Sequence, residues 1–400
     1  MRFRRITCLL CSTALLLCAC TANTTTPLKE ADMKKLDDGS MSAMELADAM
    51  QLGWNLGNSL DAYANGTAGE TAWGNPEIRP ELFEGVKKAG FQTVRIPVSY
   101  LGHVGEAPDY TIDAAWLDRI AEVTDMALDA GLLVIINIHH DGNNDAAGGA
   151  WIDITAEDQT PIREKFALLW AQIADRFRDY DERLVFEGMN EIHDGTYQAP
   201  SGDKGETYYA NVNALGQLFV DTVRDSGGSN LSRCLLVPGY NTNIDYTLKG
   251  FVLPKDRVED RLMLSVHFYD PYQYALEESM STVTWGEGAQ GNCGWGNEDY
   301  VDAQFDRLQI NYINNGIPVI IGEYGAIDKN EDAYREYYME YVTKAACDRG
   351  LVPVYWDNGY DGDYGFALFD REDGSVLYPD IVEGMTRAAS GRDYTVKSPT

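Results

Sequence analysis

The sequence predicts a single α/β domain folded as a (β/α)8 TIM barrel. From residue 50 onward, eight short runs rich in apolar and β-branched residues alternate with longer helical patterns over about 340 residues. Polar and aromatic side chains gather where these runs end, which is the side of a barrel that carries active sites. The main alternative is a doubly wound open sheet, but GWNLGNS around the first run is not its G-x-G-x-x-G phosphate turn.

The predicted strands are short and bounded by turn residues or helical segments. They are Leu52–Leu56, Thr93–Val98, Leu132–His140, Leu184–Glu191, Cys234–Gly239, Leu262–Tyr269, Pro318–Tyr324 and Leu351–Trp356. Ile162–Phe177 has the clearest helical stripe, and Thr160-Pro161 fits its N-cap and first turn. The other predicted helices are Pro80–Ala89, Trp116–Ala130, Glu206–Ser226, Glu298–Asn315 and Glu331–Arg349.

Residues 1–20 are predicted to be a secretory signal peptide. Three early arginines precede an apolar stretch, Ile6 to Ala19, that is too short to span a bilayer permanently. Leu17-Cys18-Ala19-Cys20 resembles a bacterial lipobox, which predicts an extracellular protein held at the cell surface by a lipidated Cys20. Ordinary cleavage a few residues later, with free secretion, is the alternative.

The remaining chain is divided into a polar tether at 21–40, a catalytic domain at 41–392 and a C-terminal tail at 393–400. Cys234, Cys293 and Cys347 are the cysteines beyond the leader, so they permit one disulfide at most. None of them has the close spacing of a zinc site.

The chain is strongly acidic, with 63 acidic and 32 basic residues and a formal net charge of −31. The negative electrostatic potential of such a protein repels nucleic acid and anionic lipid headgroups, and it favours a neutral substrate. An acidic surface also keeps a secreted protein soluble, and both explanations can hold. We predict a monomer whose contact with a membrane is through the lipid anchor alone.

Two predicted strands end in glutamates that suit glycoside cleavage. VFEGMNE, on the fourth strand, ends in Glu191, and PVIIGEYG, on the seventh, contains Glu323. Glycosidic cleavage requires one carboxyl group that protonates the leaving oxygen and a second that attacks or activates water. Glu187 shares strand parity with Glu191, so it should point into the barrel and be paired there, with Arg95 as its predicted partner.

The motifs along the chain resemble glycoside hydrolase family 5, the cellulase family of retaining barrel hydrolases. The resemblance covers about residues 50–385, and its motifs are TVRIPVSY, IINIHHD, MNE, SVHFYDP, IIGEYG and PVYWDNG. GWNLGNSLDAY and ETAWGNP further resemble a broad-specificity endoglucanase and xyloglucanase subfamily. Ile192 stands where the family usually has proline, which leaves the path of that loop open.

The resemblance implies that Glu191 is the general acid/base and Glu323 the nucleophile, with no cofactor and no metal. If Arg95 and Tyr269 reach Glu323, they should hold it ionised, whereas Glu191 needs a less charged setting to keep its proton. The predicted substrate-binding residues are Asn58, Arg95, His103, His139, Asn190, His267, Tyr269 and Trp356. Among them, Asn190 should bind the sugar 2-hydroxyl, and Trp356 should form the floor of the site.

Two further regions carry predictions about the site. His139 and His140 are adjacent on a predicted strand, so they should point to opposite faces and not share a metal ion. Aromatic residues between His267 and Tyr300 suggest additional sugar subsites. Residues 366–379 should form a hairpin that turns at Glu372-Asp373-Gly374 and shapes the other wall.

We therefore expect retaining, endo-acting hydrolysis of β-1,4-glucosidic bonds in cellulose-like or related β-glucan polysaccharides. Xyloglucan, mixed-linkage glucan, xylan and mannan are the alternative substrates. A noncatalytic surface glycan-binding lipoprotein is an alternative of another class, although binding alone does not need both glutamates. A metal-dependent barrel hydrolase is a third, and insensitivity to a chelator would exclude it.

Overall fold

A computed structural model describes residues 35, 39–142, 148–200 and 202–399 of the chain. Eight parallel strands form a closed barrel in chain order, and the last strand pairs with the first. The strands are β1 Gly53–Leu56, β2 Thr93–Ile96, β3 Leu133–Asn137, β4 Leu184–Glu187, β5 Leu235–Asn243, β6 Leu262–Phe268, β7 Val319–Tyr324 and β8 Val352–Asp357. The predicted (β/α)8 fold is confirmed. The predicted leader, with Cys20, lies outside the described residues.

Helices surround the barrel, and the predicted helical segments are all present, with the predicted ends in α2 and with at least one shifted end in the others. They are α1 Ala43–Met50, α2 Pro80–Ala89, α3 Ala114–Asp129, α4 Thr160–Arg176, α5 Gly205–Asp225, α6 Ile244–Gly250, α7 Tyr272–Ala275, α8 Glu298–Asn311, α9 Asp332–Cys347 and α10 Pro379–Ala389. The stripe predicted for α4 is buried, and its Trp170 donates a hydrogen bond to the carbonyl of Gly188. None of the helices in the described part of the chain has the length and apolar character to cross a membrane.

The interior of the barrel changes from apolar to polar along the strands. Alternate strand residues point inward, and those nearest the amino-terminal end form an apolar cluster with α1. Its strand members are Leu133, Ile135, Val185, Leu236, Met263, Ile320, Val352 and Val354. The next inward positions are polar and fully buried, and they are Asn55, Arg95, Asn137, Glu187 and Ser265. This polar layer lies directly beneath the carboxyl-terminal mouth of the barrel.

Helix α1 closes the opposite, amino-terminal end of the barrel. The Ser42 hydroxyl accepts a hydrogen bond from the Glu45 amide, and the Glu45 carboxylate accepts one from the Ser42 amide, which forms a capping box. Leu46 and Met50 are buried in the apolar cluster. This helix was not predicted from the sequence, although Ser42 and Glu45 have the spacing of a capping box.

Four predicted strands, β2, β3, β4 and β6, end earlier than expected at the mouth, and the difference is largest in β3 and β4. β3 ends at Asn137 and β4 ends at Glu187, so the polar residues after them lie on loops. His139 still lies beside the chain that continues β2, because its amide donates to the Val98 carbonyl at 2.7 Å. The predicted hairpin at 366–379 forms through an antiparallel bridge between Phe369 and Val376. In the predicted tail, the Tyr394 hydroxyl donates to Glu340 of α9 at 2.7 Å.

Candidate active site

An open cleft crosses the carboxyl-terminal mouth of the barrel. Its floor lies above the polar layer, and its walls come from the loops that follow the strands. The residues that line it are His139, His140, Asn190, Glu191, Thr196, Tyr197, Gln198, Asn241, Asn243, His267, Tyr269, Asp270, Tyr272, Leu276, Glu323, Trp356 and Phe366. Seven of the ten predicted site residues are in this set, and Arg95 lies directly below it.

Arg95 connects the polar layer to the cleft. It is fully buried, and its Nε donates to Glu187 Oε2 at 2.7 Å. Its Nη1 donates to Glu323 Oε1 at 2.8 Å, and its Nη2 donates to Asn190 Oδ1 at 2.8 Å. Burial lowers the pKa of Arg95, but the two carboxylates outweigh that effect and raise it above its ordinary value. The predicted pairing of Arg95 with Glu187 is confirmed, and the guanidinium stays charged.

Glu323, on β7, is nearly buried and is held from two sides. Besides Arg95, the Tyr269 hydroxyl donates to Glu323 Oε2 at 3.0 Å. Burial raises the pKa of Glu323, and the charges of His267 and Arg95 oppose that rise without cancelling it. Burial and the charge of Glu323 raise the pKa of Tyr269 well above its ordinary value. Tyr269 therefore keeps its proton and serves as a hydrogen-bond donor.

Glu191 lies on the loop after β4 and is more accessible, with 30% of its side chain exposed. His267 Nδ1 lies 2.6 Å from Glu191 Oε1, and the Thr242 hydroxyl donates to the same oxygen at 3.4 Å. Burial raises the pKa of Glu191, but the hydrogen bond and charge of His267 outweigh it, so the pKa is lowered. Arg95 and Tyr269 reach Glu323 as predicted, but the predicted order of the two pKa values is wrong, because burial raises the pKa of Glu323 and His267 lowers that of Glu191.

The two glutamates are close enough to act on one bond. One carboxylate oxygen of Glu191 and one of Glu323 lie within 4.8 Å of each other, and His267 Nδ1 is also 3.6 Å from Glu323 Oε2. Retaining glycosidases have carboxyl groups about 5–5.5 Å apart, whereas inverting ones leave about 6.5–9.5 Å for a water molecule. The pair therefore has the spacing of a double displacement.

Trp356 forms the floor of the cleft at the end of β8. Its ring lies parallel to the ring of His139, with centroids 5.8 Å apart and planes 6° apart. A Cβ on Gly57 would come within 2.8 Å of the Trp356 ring, so only glycine lets the indole lie against this part of the chain. Together the two rings offer flat surfaces of the kind that a sugar ring can stack on.

The comparison with known proteins agrees with this geometry. A family model described as cellulase (glycosyl hydrolase family 5) matches residues 57–362. The chain belongs to glycoside hydrolase family 5.

Three relatives of this family 5 enzyme match it over most of their length. It is 45% identical to Endoglucanase A of Paenibacillus barcinonensis over 382 residues, which cover 91% of this chain and 93% of that protein. The structure of a family 5 xyloglucanase from Paenibacillus pabuli is 47% identical, has a TM-score of 0.83 and covers 86% of this chain and 99% of that one. A GH5-4 broad specificity endoglucanase from Bacteroides salanitronis is 46% identical, has a TM-score of 0.84 and covers 88% of this chain and 96% of that one.

His139 and His140 of this family 5 enzyme both line the cleft, so the prediction that they face opposite sides is wrong. They lie in the turn after β3 and not on the strand, and their ring centroids are 4.5 Å apart. Burial and nearby positive charge lower the pKa of His139 well below its ordinary value, so the ring is neutral. Asn137 donates to His139 Nδ1 at 3.1 Å, which leaves a proton on Nε2 for a sugar hydroxyl.

Two groups of described side chains in the enzyme have the composition of a metal site. Their members are Asp61, His139 and His140 in one group, and Glu191, His267 and Glu323 in the other. In the second group the carboxylate oxygens already accept hydrogen bonds from Arg95, Tyr269 and Thr242. An ion there would compete with the donors that hold the two glutamates.

Two predicted substrate-binding residues lie away from the cleft. Asn58 lines a second groove beside it, together with Trp73 and Tyr360. The ring of His103 stacks on Trp116 with centroids 4.4 Å apart, so it is used in packing and is not among the described residues that line the cleft. The predicted role of His103 in the cleft is wrong for this reason.

The wall formed by the loop after β4 and by the irregular end of β5 was not predicted from the sequence. Thr196, Tyr197 and Gln198 belong to the loop, and Asn241 and Asn243 to the end of β5. Ile192, the departure from the family motif, is buried, and its carbonyl accepts a hydrogen bond from the Asn241 amide at 2.9 Å. Ile192 therefore joins the loop to β5 and fixes the path that the sequence left open.

The predicted aromatic loop between His267 and Tyr300 serves two purposes. Tyr272 is 54% exposed and lines the cleft, as a sugar subsite requires. Tyr274 and Trp285 are buried against Tyr338 of α9, so they hold the loop on the barrel. Spacing in the sequence does not separate these two roles, because both kinds of residue occur in the same irregular segment.

Proposed function

We propose that this family 5 hydrolase cleaves internal β-1,4-glucosidic bonds of glucans with retention of configuration. The observation that carries the proposal is the pair Glu191 and Glu323, whose carboxylate oxygens lie within 4.8 Å of each other in an open cleft. A cleft that is open along its length lets a long chain lie across the site, as cleavage within a chain requires.

In the first step, the Glu323 carboxylate attacks the anomeric carbon, and Glu191 gives its proton to the departing oxygen. The bond to the leaving sugar breaks as the ester to Glu323 forms. In the second step, Glu191 takes a proton from water, whose oxygen displaces Glu323 from the same carbon. Asn190 accepts from Arg95 through Oδ1, so its amide hydrogens are directed to the sugar 2-hydroxyl.

Arg95 and Tyr269 stabilise the charge of Glu323 throughout this cycle. Both donate to its carboxylate, and Arg95 is held by the buried Glu187 while the ring of Tyr269 packs on the buried Phe366, so they need little rearrangement as charge moves on and off Glu323. Tyr269 contacts the oxygen that faces His267, which is the side nearer Glu191. These donors favour Glu323 as the nucleophile of the pair.

We propose a glucan backbone with tolerance for xylose branches. The relatives named above include an endoglucanase, a xyloglucanase and a broad specificity endoglucanase. The second groove around Asn58 adjoins the cleft and gives room for substituents on the chain. Mixed-linkage glucan has the same β-1,4-glucosyl units, whereas xylan and mannan change the sugar at the cleavage point.

A panel of polysaccharides tests the proposal. Reducing ends should appear from carboxymethyl cellulose, mixed-linkage glucan and xyloglucan, and more slowly from xylan and mannan. Glu323→Gln is the control, and it should bind the same glucans without cleaving them. Addition of EDTA should leave the rates unchanged. If the pure protein releases no reducing ends from any glucan, or if the Glu323→Gln variant retains turnover, the proposal is wrong.

We further propose that the mature protein begins at a lipidated Cys20. The lipobox-like Leu17-Cys18-Ala19-Cys20 supports this location at the cell surface. The native protein should partition into detergent, and Cys20→Ser should release it to the aqueous phase. An intact mass that corresponds to an unmodified N-terminus beyond Cys20 would instead indicate free secretion.

A further inference from the structure

Tyr197 has an unusual backbone and an exposed ring beside the catalytic pair. Its φ angle is +56°, a value that bulky residues rarely adopt. Its side chain lines the cleft, and the residue is 58% exposed, so packing in the core does not account for this conformation. Strained residues that surround a site are often retained because the position of their side chain matters.

The loop around Tyr197 is built to hold the ring in place. Asp194 Oδ1 accepts hydrogen bonds from the amide and the hydroxyl of Thr196, at 3.0 and 2.6 Å. The Asp194 amide donates to the Tyr240 hydroxyl at 3.0 Å, which fixes the loop to β5. The ring of Tyr197 packs on the ring of His193, with centroids 4.1 Å apart.

His193 is a rigid base for this stack. It is buried, and its Nδ1 accepts a hydrogen bond from the Gly195 amide at 2.8 Å. A side chain that is buried and hydrogen-bonded in this way loses little further freedom when a ligand binds to its partner. One face of the Tyr197 ring is covered by His193, and the exposed remainder is presented to the cleft.

The position of Tyr197 identifies the part of the substrate that it would contact. Trp356 ends β8, and the second groove with Asn58 and Tyr360 lies next to it, on the β1 and β8 side of the mouth. Tyr197 follows β4, on the side of Glu191. Because Glu191 must give its proton to the departing oxygen, the leaving-group sugar lies on this side of the cleaved bond.

We propose that the Tyr197 ring, supported by His193, is the stacking platform for the first sugar of the leaving group. This inference rests on the proposed function. The C–H face of a β-glucosyl ring is apolar and complements the negative face of an aromatic ring. The same platform would hold an acceptor sugar when the glycosyl ester of Glu323 is attacked by a sugar hydroxyl instead of water.

The two fates of that ester provide a sharp test. In either case the bond between the anomeric carbon and Glu323 breaks, a bond to the incoming oxygen forms, and Glu191 takes the proton of that oxygen. β-Cellobiosyl fluoride forms the ester with fluoride as the leaving group, so no leaving sugar is involved. With cellobiose added as acceptor, the ratio of transfer product to hydrolysis product reports acceptor binding independently of how fast the ester forms.

The expected result is a fall of about tenfold in this ratio for Tyr197→Ala, with the ratio retained in Tyr197→Phe because the ring remains. Ile310→Ala is the control, since Ile310 is 61% exposed on α8 and is not among the described residues that line the cleft or the second groove, so its ratio should equal that of the wild type. Circular dichroism melting should show that all three variants are folded.

Several outcomes would overturn the inference. A ratio within twofold of wild type in folded Tyr197→Ala would do so, as would an equal fall in Ile310→Ala or the absence of any transfer by the wild type. If the wild type releases no fluoride from β-cellobiosyl fluoride, the proposed function itself is wrong, and the inference is lost with it.

Discussion

Arg95 Nε donates to Glu187 Oε2 across 2.7 Å inside the barrel, where neither side chain is exposed to solvent. Glu187 also accepts hydrogen bonds from Asn137 at 2.9 Å and from Ser265 at 2.7 Å. All its partners donate, so the site suits an ionised carboxylate. The guanidinium is thereby fixed, and its other nitrogens remain directed at Glu323 and Asn190.

Glu187→Gln should shift the pH profile of the hydrolase to lower pH. The change removes a buried negative charge near Arg95 and Glu323, so the carboxylate of Glu323 is favoured and its pKa falls. Activity is lost as pH falls through the pKa of the nucleophile, so the acid limb should move down by about 1 pH unit. The measurement is kcat/KM against pH on a soluble β-glucan. An acid limb that moves to higher pH in Glu187→Gln would contradict this prediction.

His267→Gln should shift the profile in the opposite direction. His267 lowers the pKa of Glu191 and opposes the burial-induced rise at Glu323, so its replacement by a neutral side chain raises both. The acid limb and the basic limb should both move to higher pH, by roughly 1 unit. The measurement is again kcat/KM against pH, and recording it for His267→Gln and Glu187→Gln side by side tests whether the two variants shift the profile in opposite directions. A shift of both variants in one direction would show that the assigned charges are wrong.

Glu191→Ala should lose activity on polysaccharide by about 10²–10⁴-fold, which is the range that general acid catalysis supplies. The first step on 2,4-dinitrophenyl β-cellobioside should be nearly unaffected, because dinitrophenolate departs without a proton. A rapid burst of dinitrophenol, followed by slow turnover of the glycosyl ester, is the expected trace. Equal losses on the two substrates would mean that Glu191 is not the acid.

The first product of cellopentaose cleavage should have the β configuration. Glu191 and Glu323 are too close for a water molecule to act between them, so two successive inversions occur at one carbon. Proton NMR in the first minutes separates the two anomers before mutarotation mixes them. If the α-anomer appears first, the hydrolase inverts, and the roles assigned to both glutamates must be abandoned.

Gly57→Ala should weaken substrate binding by disturbing Trp356. The new Cβ would lie 2.7 Å from the Asp357 carbonyl oxygen and 2.8 Å from the Trp356 ring, so the indole must tilt. We expect kcat/KM to fall roughly tenfold through a higher KM, with a lower melting temperature. Gly288→Ala is the control, because no described atom lies within 4 Å of a Cβ at Gly288. Wild-type KM in folded Gly57→Ala would contradict the role given to Gly57.

Much of the barrel could be predicted because its sequence signals are local. The apolar runs, their spacing and the stripe of α4 follow directly from strand and helix periodicity. Glu187 could also be placed, since inward parity and the cost of an unpaired buried charge leave few partners for it. The pairing with Arg95 agrees with that reasoning.

The site beyond the strand ends could not be predicted in the same way. The alternation of side chains along a strand no longer applies after Asn137, where β3 ends. The prediction that His139 and His140 point to opposite faces of a strand was therefore wrong. His103 shares the composition of a binding residue, but its stacking on Trp116 depends on a contact between distant elements. The pKa values of Glu191 and Glu323 follow from burial and from a single close imidazole, and neither quantity is visible in a motif.

Helix α1 also sets the direction in which the chain enters the barrel. The Arg261 guanidinium donates to the Gly39 carbonyl at 2.9 Å, at the start of β6, so the chain meets the barrel on the face opposite the cleft. Any attachment made through residues before Gly39 would pull on that closed face. Such an attachment would leave the catalytic mouth, on the opposite face, free for a long polymer to enter.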